Sequence, residues 1–180
     1  HKVYDQLKKQ FKHPWLAANI IDKRSGLPYF QPYTIIDTLG VRFAVLGLIT
    51  PGIPRWLPKK LWEGLEFQDM ILCAKQWIDT IKQKESADFI IGTFHSGWNP
   101  GYGNGDSLKP FNENASMLVA RQVKGFDLIF VGHDHDQRVL NVTTPDNKTI
   151  PLVDCGSHAQ SVGRVQLLIN SKGKVTVDTS

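Results

Sequence analysis

The sequence predicts an α/β fold in which a mixed-sheet β-sandwich is flanked by helices. Three observations support this prediction. Apolar runs of strand length recur along the chain. The clearest helical periodicity lies between two of these runs. The last 40 residues or so alternate between short apolar segments and turns. Strands that alternate with helices favour parallel pairing, and a run of short strands adds antiparallel pairs.

Composition limits the classes of protein to which the chain can belong. With 180 residues, 41% of them hydrophobic and 21% charged, it is long and apolar enough for one domain with a core. The net charge of +4 comes from dispersed basic residues, which form no stripe for a nucleic-acid polymer. No apolar run reaches the roughly 18 residues that span a membrane. Cys73 and Cys155 are expected to be buried hydrophobic residues and not a disulfide framework.

The first third of the chain begins with helical spacing in residues 3–11 and a short buried strand in residues 15–21. Residues 33–37 and 41–49 then flank a turn and predict a hairpin, whose second strand is apolar enough to be central. The proline-rich residues 50–58 are expected to form an irregular loop at the rim of the sheet.

The remaining elements alternate between helices and strands. Residues 67–83 carry one apolar face at helical spacing, and residues 114–123 form a second predicted helix. Residues 88–94 and 127–131 are buried strands, and the glycine-rich residues 99–110 form a loop near a site. An antiparallel meander is predicted over four segments: residues 139–143, 150–154, 162–169 and 174–178.

Two of the predicted strands end in histidine. His95 follows one strand, Gly132 and His133 follow the other, and His135 comes two residues later. Ligands bind at the carboxyl ends of strands in open α/β sheets, and residues two apart face the same side of an extended chain. The three imidazoles are therefore expected to converge as ligands of Zn, Mn, Fe or Co. Taken alone, His133 and His135 are equally compatible with a polar loop, and His95 is compatible with a strand-end histidine that caps backbone groups.

Other polar side chains are candidates for supporting roles. Asp134, Asp136 and Asp154 could orient the histidines, or they could be ordinary polar loop residues. Asn114 could lie near a phosphate group, or it could cap the helix that follows. His158 is a candidate residue of the rim.

Two tryptophans, Trp56 and Trp98, lie on predicted rim loops, where they either pack or contact substrate. Their aromatic rings favour packing.

Several stretches together resemble the metallophosphoesterase domain of the 5′-nucleotidase and 2′,3′-cyclic-nucleotide 2′-phosphodiesterase family. They occur in the family's order across most of the chain: AANIID (17–22), GLITP (47–51), FHSG (94–97), ENA (113–115), LIFVGHDH (128–135) and residues 156–165. The G-H-x-H element and the upstream H-x-G are specific in combination, although each is weak singly.

The resemblance implies a metallophosphatase-like sandwich that holds two divalent metal ions. By that resemblance, His95 and His133 bind one ion and His135 binds the other. The implied activity is hydrolysis of nucleotide phosphate esters, with a small-molecule nucleotide as substrate. Location in the periplasm or at the cell surface is implied in the same way. Alternatives are a hydrolase of another small ester, such as a UDP-sugar or a thiosulfonate, and a non-catalytic metal-binding module.

Three further motifs of the family are missing from this sequence. D-x-H and G-N-H do not occur, and the only G-D, Gly105-Asp106, follows the H-x-G instead of preceding it. We therefore expect residues 1–180 to be the C-terminal part of a single phosphoesterase domain. On this prediction the chain is inactive alone and requires the N-terminal part of the domain, and a C-terminal substrate-binding domain is also absent from it.

Overall fold

A mixed β-sheet with helices on one face is the centre of the computed structural model, which describes residues 2–101 and 111–178. The helices among these residues are α1 (Lys2–Gln10), α2 (Ile53–Trp56), α3 (Met70–Lys84) and α4 (Ser116–Gln122), with a 3-10 turn at Lys59–Leu61. The strands are β1 (Ile20–Asp22), β2 (Leu27–Pro28), β3 (Tyr33–Thr38), β4 (Val41–Ile49), β5 (Leu65–Phe67), β6 (Phe89–His95), β7 (Leu128–Gly132), β8 (Gln137–Thr143), β9 (Thr149–Cys155), β10 (Gln166–Ile169) and β11 (Val175–Asp178).

The main sheet of the described residues has the strand order β3-β4-β6-β7-β9-β8. Its four inner strands run parallel, and the two edge strands pair with them antiparallel. The inner strands are apolar along nearly their whole length, as expected for parallel strands covered on both faces. The predicted α/β class, mixed sheet and hairpin over β3 and β4 are confirmed.

Helices α3 and α4 cover one face of this sheet. Asp69 caps α3, because its carboxylate accepts hydrogen bonds from the backbone nitrogens of Ile71 and Leu72 at 2.9 and 3.0 Å. The helix therefore begins later than the predicted residue 67. Its buried side chains lie at helical spacing and form one stripe toward the sheet: Met70, Cys73, Ala74, Ile78 and Ile81.

The opposite face of the sheet is covered in part by the two-stranded sheet of β10 and β11. This small sheet supplies the second layer of the predicted sandwich. The buried side chains that meet it share one face of the main sheet: Val41, Phe43, Phe89, Leu128 and Val153.

Four local expectations are wrong. Residues 15–21 contribute only β1 to a three-stranded sheet with β2 and β5, since Leu16 pairs by a single bridge to Gln31. Residues 50–58 contain helix α2, because its proline falls in the first turn, where no backbone donor is needed. The predicted meander is broken, since β9 pairs with β7 and β10 joins another sheet. Cys155 is exposed, whereas Cys73 is buried as expected.

Strand register brings the carboxyl ends of β4, β6, β7 and β9 to one edge. His95 lies opposite Ile49 on one side and Gly132 on the other, and Asp154 lies opposite Val131. The loops that follow these strands must therefore meet at this edge. Residues 102–110, most of the predicted glycine-rich loop, lie outside the described residues.

We predict that Gly47→Ala destabilises the fold by about 1–3 kcal/mol, the usual cost of overpacking. A Cβ at Gly47 would lie 2.4 Å from the Leu16 Cβ and 2.5 Å from the Leu16 carbonyl oxygen. Backbone atoms cannot rotate away, because Ala18 donates a hydrogen bond to the Gly47 carbonyl at 2.8 Å. Urea unfolding measures the change. The control is Gly101→Ala, whose added carbon meets, within the described part of the chain, only Asn99 Oδ1 at 3.6 Å, and it should change stability by less than about 0.5 kcal/mol.

Candidate functional site

His95 and His133 lie side by side at the ends of β6 and β7. Their ring centroids are 5.2 Å apart, with 70° between the ring planes. Burial lowers the pKa of His95, and the nearby His133 and His135 lower it further. His95 is therefore held in the neutral form, which is the form that binds a metal ion.

His133 has two further partners that the sequence did not predict. Its Nε2 lies 3.1 Å from Glu113 Oε1. One face of its ring stacks on Trp56, with 5.3 Å between centroids and 21° between planes. Trp56 therefore packs on a candidate ligand, and the short helix α2 places it there.

His135 points toward a different neighbour. Its ring packs against His158 with 5.7 Å between centroids. The backbone φ angles of His133 and His135 are 128° and 58°. The G-H-D-H segment is thus a turn in which both histidines have positive φ. The extended backbone that the sequence predicted for this segment is wrong.

Three imidazoles around one ion are not found in the described residues. Within residues 2–101 and 111–178, no three Asp, Glu, Cys or His side chains are arranged to hold a metal ion. The pair His95 and His133 fits two positions of a metal site, since both rings are close and His95 is kept neutral. The assignment of His135 to a second ion stays a prediction.

Trp98 ties the loop after β6 to the loop after β7. Its backbone nitrogen donates to Asp134 Oδ2 at 2.9 Å, and its indole Nε1 donates to Asp136 Oδ2 at 3.0 Å. Arg138 also donates to Asp136, at 2.9 Å, and its guanidinium lies 4.8 Å over the Trp98 ring. Asp134 and Asp136 therefore hold Trp98, and neither bonds a histidine in the contacts found among described residues.

Asp154 is a buried carboxyl group beside Asp134. It is 2% exposed, and its Oδ1 accepts a hydrogen bond from the Gly156 nitrogen at 3.0 Å. Burial and the neighbouring Asp134 carboxylate raise the pKa of Asp154 to about 7. Asp154 Oδ2 and Asp134 Oδ1 are both buried and have no hydrogen-bond partner among the described residues.

Ser96 joins the strand that ends at His95 to the segment that carries Glu113. Its hydroxyl donates to the Glu113 carbonyl at 2.7 Å and accepts from the Ala115 nitrogen at 2.9 Å. The Ser96 carbonyl accepts from the Ser116 hydroxyl at 2.6 Å. Sequence reasoning missed Ser96 and Glu113 as site residues. Their position inside the FHSG and ENA stretches is the signal that could have found them.

Asn114 is buried next to Gly97 and does not cap α4. The capping position belongs to Ala115, and the Asn114 nitrogen donates to Asn112 Oδ1 at 2.8 Å. A Cβ at Gly97 would lie 2.2 Å from Asn114 Oδ1, so glycine is required there. The helix-cap alternative is wrong, and a role near substrate stays a prediction.

Known proteins resemble this chain in sequence over most of its length. No family model matches it. It is 32% identical over 143 residues to a 2′,3′-cyclic-nucleotide 2′-phosphodiesterase/3′-nucleotidase of Yersinia enterocolitica, covering 73% of this chain and 21% of that protein. It is 32% identical over 145 residues to a 5′-nucleotidase of Vibrio cholerae, covering 81% of this chain and 25% of that protein. The chain thus spans about a fifth to a quarter of these relatives.

Solved structures confirm the fold. A candidate 5′-nucleotidase of Staphylococcus aureus superposes with a TM-score of 0.81 at 23% identity, covering 99% of this chain and 34% of that one. A calcineurin-like phosphoesterase of Bacillus subtilis, YfkN, gives 0.70 at 26% identity, covering 96% of this chain and 55% of that one. The resemblance predicted from the motifs is confirmed by these similarities.

Asp154→Asn is predicted to stabilise the protein increasingly as pH rises from 5 to 8. The pKa of Asp154 in the folded chain, about 7, lies above the ordinary 3.8, so the stability that this carboxyl group contributes is fully present below the unfolded pKa. That stability is lost as pH rises through about 7, whereas the asparagine side chain of the variant does not ionise. The gain at pH 8 is a few kcal/mol at most, since one pKa unit is worth ~1.4 kcal/mol. Urea unfolding at several pH values measures it.

The matched control for Asp154→Asn is Asp79→Asn, an exposed position on α3. Its effect on unfolding free energy should not vary between pH 5 and 8. A pH-independent difference between Asp154→Asn and the native chain would contradict the raised pKa of Asp154.

We also predict that Trp98→Phe costs about 1 kcal/mol more unfolding free energy in the native chain than in an Asp136→Ala background, because the hydrogen bond from the indole to Asp136 can be lost only in the native chain. The loss of the larger ring, which packs on the core and lies under Arg138, is common to both backgrounds. A double-mutant cycle in urea measures the difference. Equal costs in both backgrounds would show that the bond adds no stability.

Proposed function

We propose that this chain, a relative of the 5′-nucleotidases and 2′,3′-cyclic-nucleotide 2′-phosphodiesterases, is the C-terminal part of a phosphoesterase domain that hydrolyses nucleotide phosphate esters with two divalent metal ions. The observation that carries the proposal is the pair of contacting imidazoles, His95 and His133, at the ends of neighbouring parallel strands. Nucleotides are proposed as substrates because the relatives' names specify them.

His95 and His133 would hold one ion, and His135 would contribute to the other. When bound, two such ions polarise phosphoryl oxygens and lower the pKa of water, which is the chemistry that ester hydrolysis needs. The chain's own part is to present imidazoles in fixed positions. Burial of His95 lowers its pKa, so that near neutral pH one of its two ring nitrogens has a free lone pair for a metal ion.

The remaining ligands are proposed to come from other parts of the protein. The relatives are about four to five times longer than the matched region, and D-x-H and G-N-H are not present in the 180 residues. We propose an N-terminal part that completes the domain and a C-terminal domain that binds the substrate. Location in the periplasm or at the cell surface belongs to the same proposal. Among the described residues, no helix has the length and apolarity to span a bilayer.

The test is a calorimetric titration of the purified chain with Zn²⁺, Mn²⁺ and Co²⁺, beside an assay with p-nitrophenyl phosphate and a nucleotide monophosphate. We expect weak metal binding that His133→Ala reduces at least tenfold, and no appreciable turnover. The matched control is His13→Ala, an exposed histidine whose ring contacts Phe11 and Trp15.

Each outcome separates the alternatives. Hydrolysis by the isolated chain that His133→Ala abolishes would contradict the requirement for an N-terminal part. Metal binding that His13→Ala and His133→Ala reduce equally would contradict the proposed site. If a longer protein containing this chain binds metal tightly and hydrolyses none of these esters, the non-catalytic metal-binding module is favoured instead.

A further inference from the structure

We propose that Glu113 is a positioning residue, which holds the His133 ring so that Nδ1, and not Nε2, faces the metal ion. The inference rests on the proposed function, because it assigns the ligating atom of one of its histidines. Glu113 is not among the residues that the sequence motifs singled out as ligands or supporting groups.

The contact with Glu113 indicates which nitrogen of His133 carries the hydrogen. Glu113 Oε1 lies 3.1 Å from His133 Nε2, a normal hydrogen-bond distance. An ionised carboxylate only accepts hydrogen bonds, so Nε2 must donate. In a neutral imidazole, the other nitrogen, Nδ1, then carries the lone pair that a metal ion requires.

Glu113 is itself held in place by the loop that follows His95. Ser96, which is fully buried, donates to the Glu113 carbonyl at 2.7 Å and accepts from the Ala115 nitrogen at 2.9 Å. The carboxylate that orients His133 is therefore anchored to the residue next to His95. This arrangement connects the two candidate ligands through protein atoms and not through a metal ion.

The ring of His133 has little freedom to rotate out of this orientation. Trp56 stacks on it, and His95 contacts it edge to face. The backbone φ of 128° also holds the side chain in a direction that an extended strand would not give. A carboxylate behind a histidine ligand fixes the tautomer and increases the basicity of the ligating nitrogen, and its loss typically costs 10–100-fold in metal affinity.

The first test needs no metal ion. Long-range ¹H–¹⁵N correlation spectra of the metal-free chain at pH 7.5 report which His133 nitrogen is protonated. We expect a protonated Nε2 with a hydrogen-bonded shift, and a shift toward the solvent-exposed value in Glu113→Ala. Protonation of Nδ1 in the native chain would overturn the inference and leave the proposed function standing.

The second test is Co²⁺ affinity, measured by calorimetry for Glu113→Ala, Glu113→Gln and the control Glu66→Ala, an exposed residue on β5. We expect a 10–100-fold loss for Glu113→Ala and a smaller loss for Glu113→Gln, whose amide oxygen still accepts from Nε2. Glu66→Ala should not change the affinity.

The remaining outcomes are also decisive. Equal large losses for Glu113→Gln and Glu113→Ala, with unchanged His133 spectra, would mean that Glu113 is a ligand and would overturn the positioning role. Unchanged affinity in both variants would overturn it as well. If the native chain binds no Co²⁺ although Nε2 is protonated and hydrogen-bonded, the proposed function fails while the orienting contact stands. Thermal unfolding of each variant confirms that the fold is intact.

Discussion

The parallel hydrogen-bond register of β4, β6 and β7 is the constraint on which the rest of the structure depends. Because His95 is paired with both Ile49 and Gly132, three strands end level with one another. The chain therefore leaves the sheet three times at the same edge, and the loops that follow β4, β6 and β7 must pack together. A shift of one residue in β6 would turn His95 to the helix-covered face, where apolar side chains fill the space.

The turn that carries His133 and His135 is costly, and its neighbours compensate for it. Non-glycine residues at positive φ each cost about 1–3 kcal/mol unless the surroundings hold them. Here Asp134, which lies between them, bonds the Trp98 backbone, and Asp136 bonds the Trp98 indole. The carboxylates around the histidines therefore maintain the shape of the loop. Their role is to keep a strained turn closed against the loop that follows β6.

Sequence predicted those parts of the molecule in which local pattern and packing agree. Strands β4, β6 and β7 and helix α3 show clear periodicity, and the strand-end rule brought His95 and His133 together. Prediction from sequence failed where contacts between residues far apart in the chain determine the local structure. The positive φ of His133 depends on loops far away in sequence, and Glu113 reaches His133 from 20 residues away. The three-stranded sheet was missed because strands of two or three residues carry almost no periodic signal.

The charges at this edge of the sheet bear on what a metal site here requires. The candidate ligands in the chain are imidazoles, which are neutral donors and do not offset the charge of two divalent ions. The carboxylates nearby already have partners: Asp134 and Asp136 accept from Trp98, and Glu113 faces His133. Asp154 is protonated over part of the neutral range, because its pKa is raised to about 7.

Cations in a partly buried site need anionic ligands to offset the hydration that they lose. The proposal of two metal ions therefore requires a carboxylate from outside these residues.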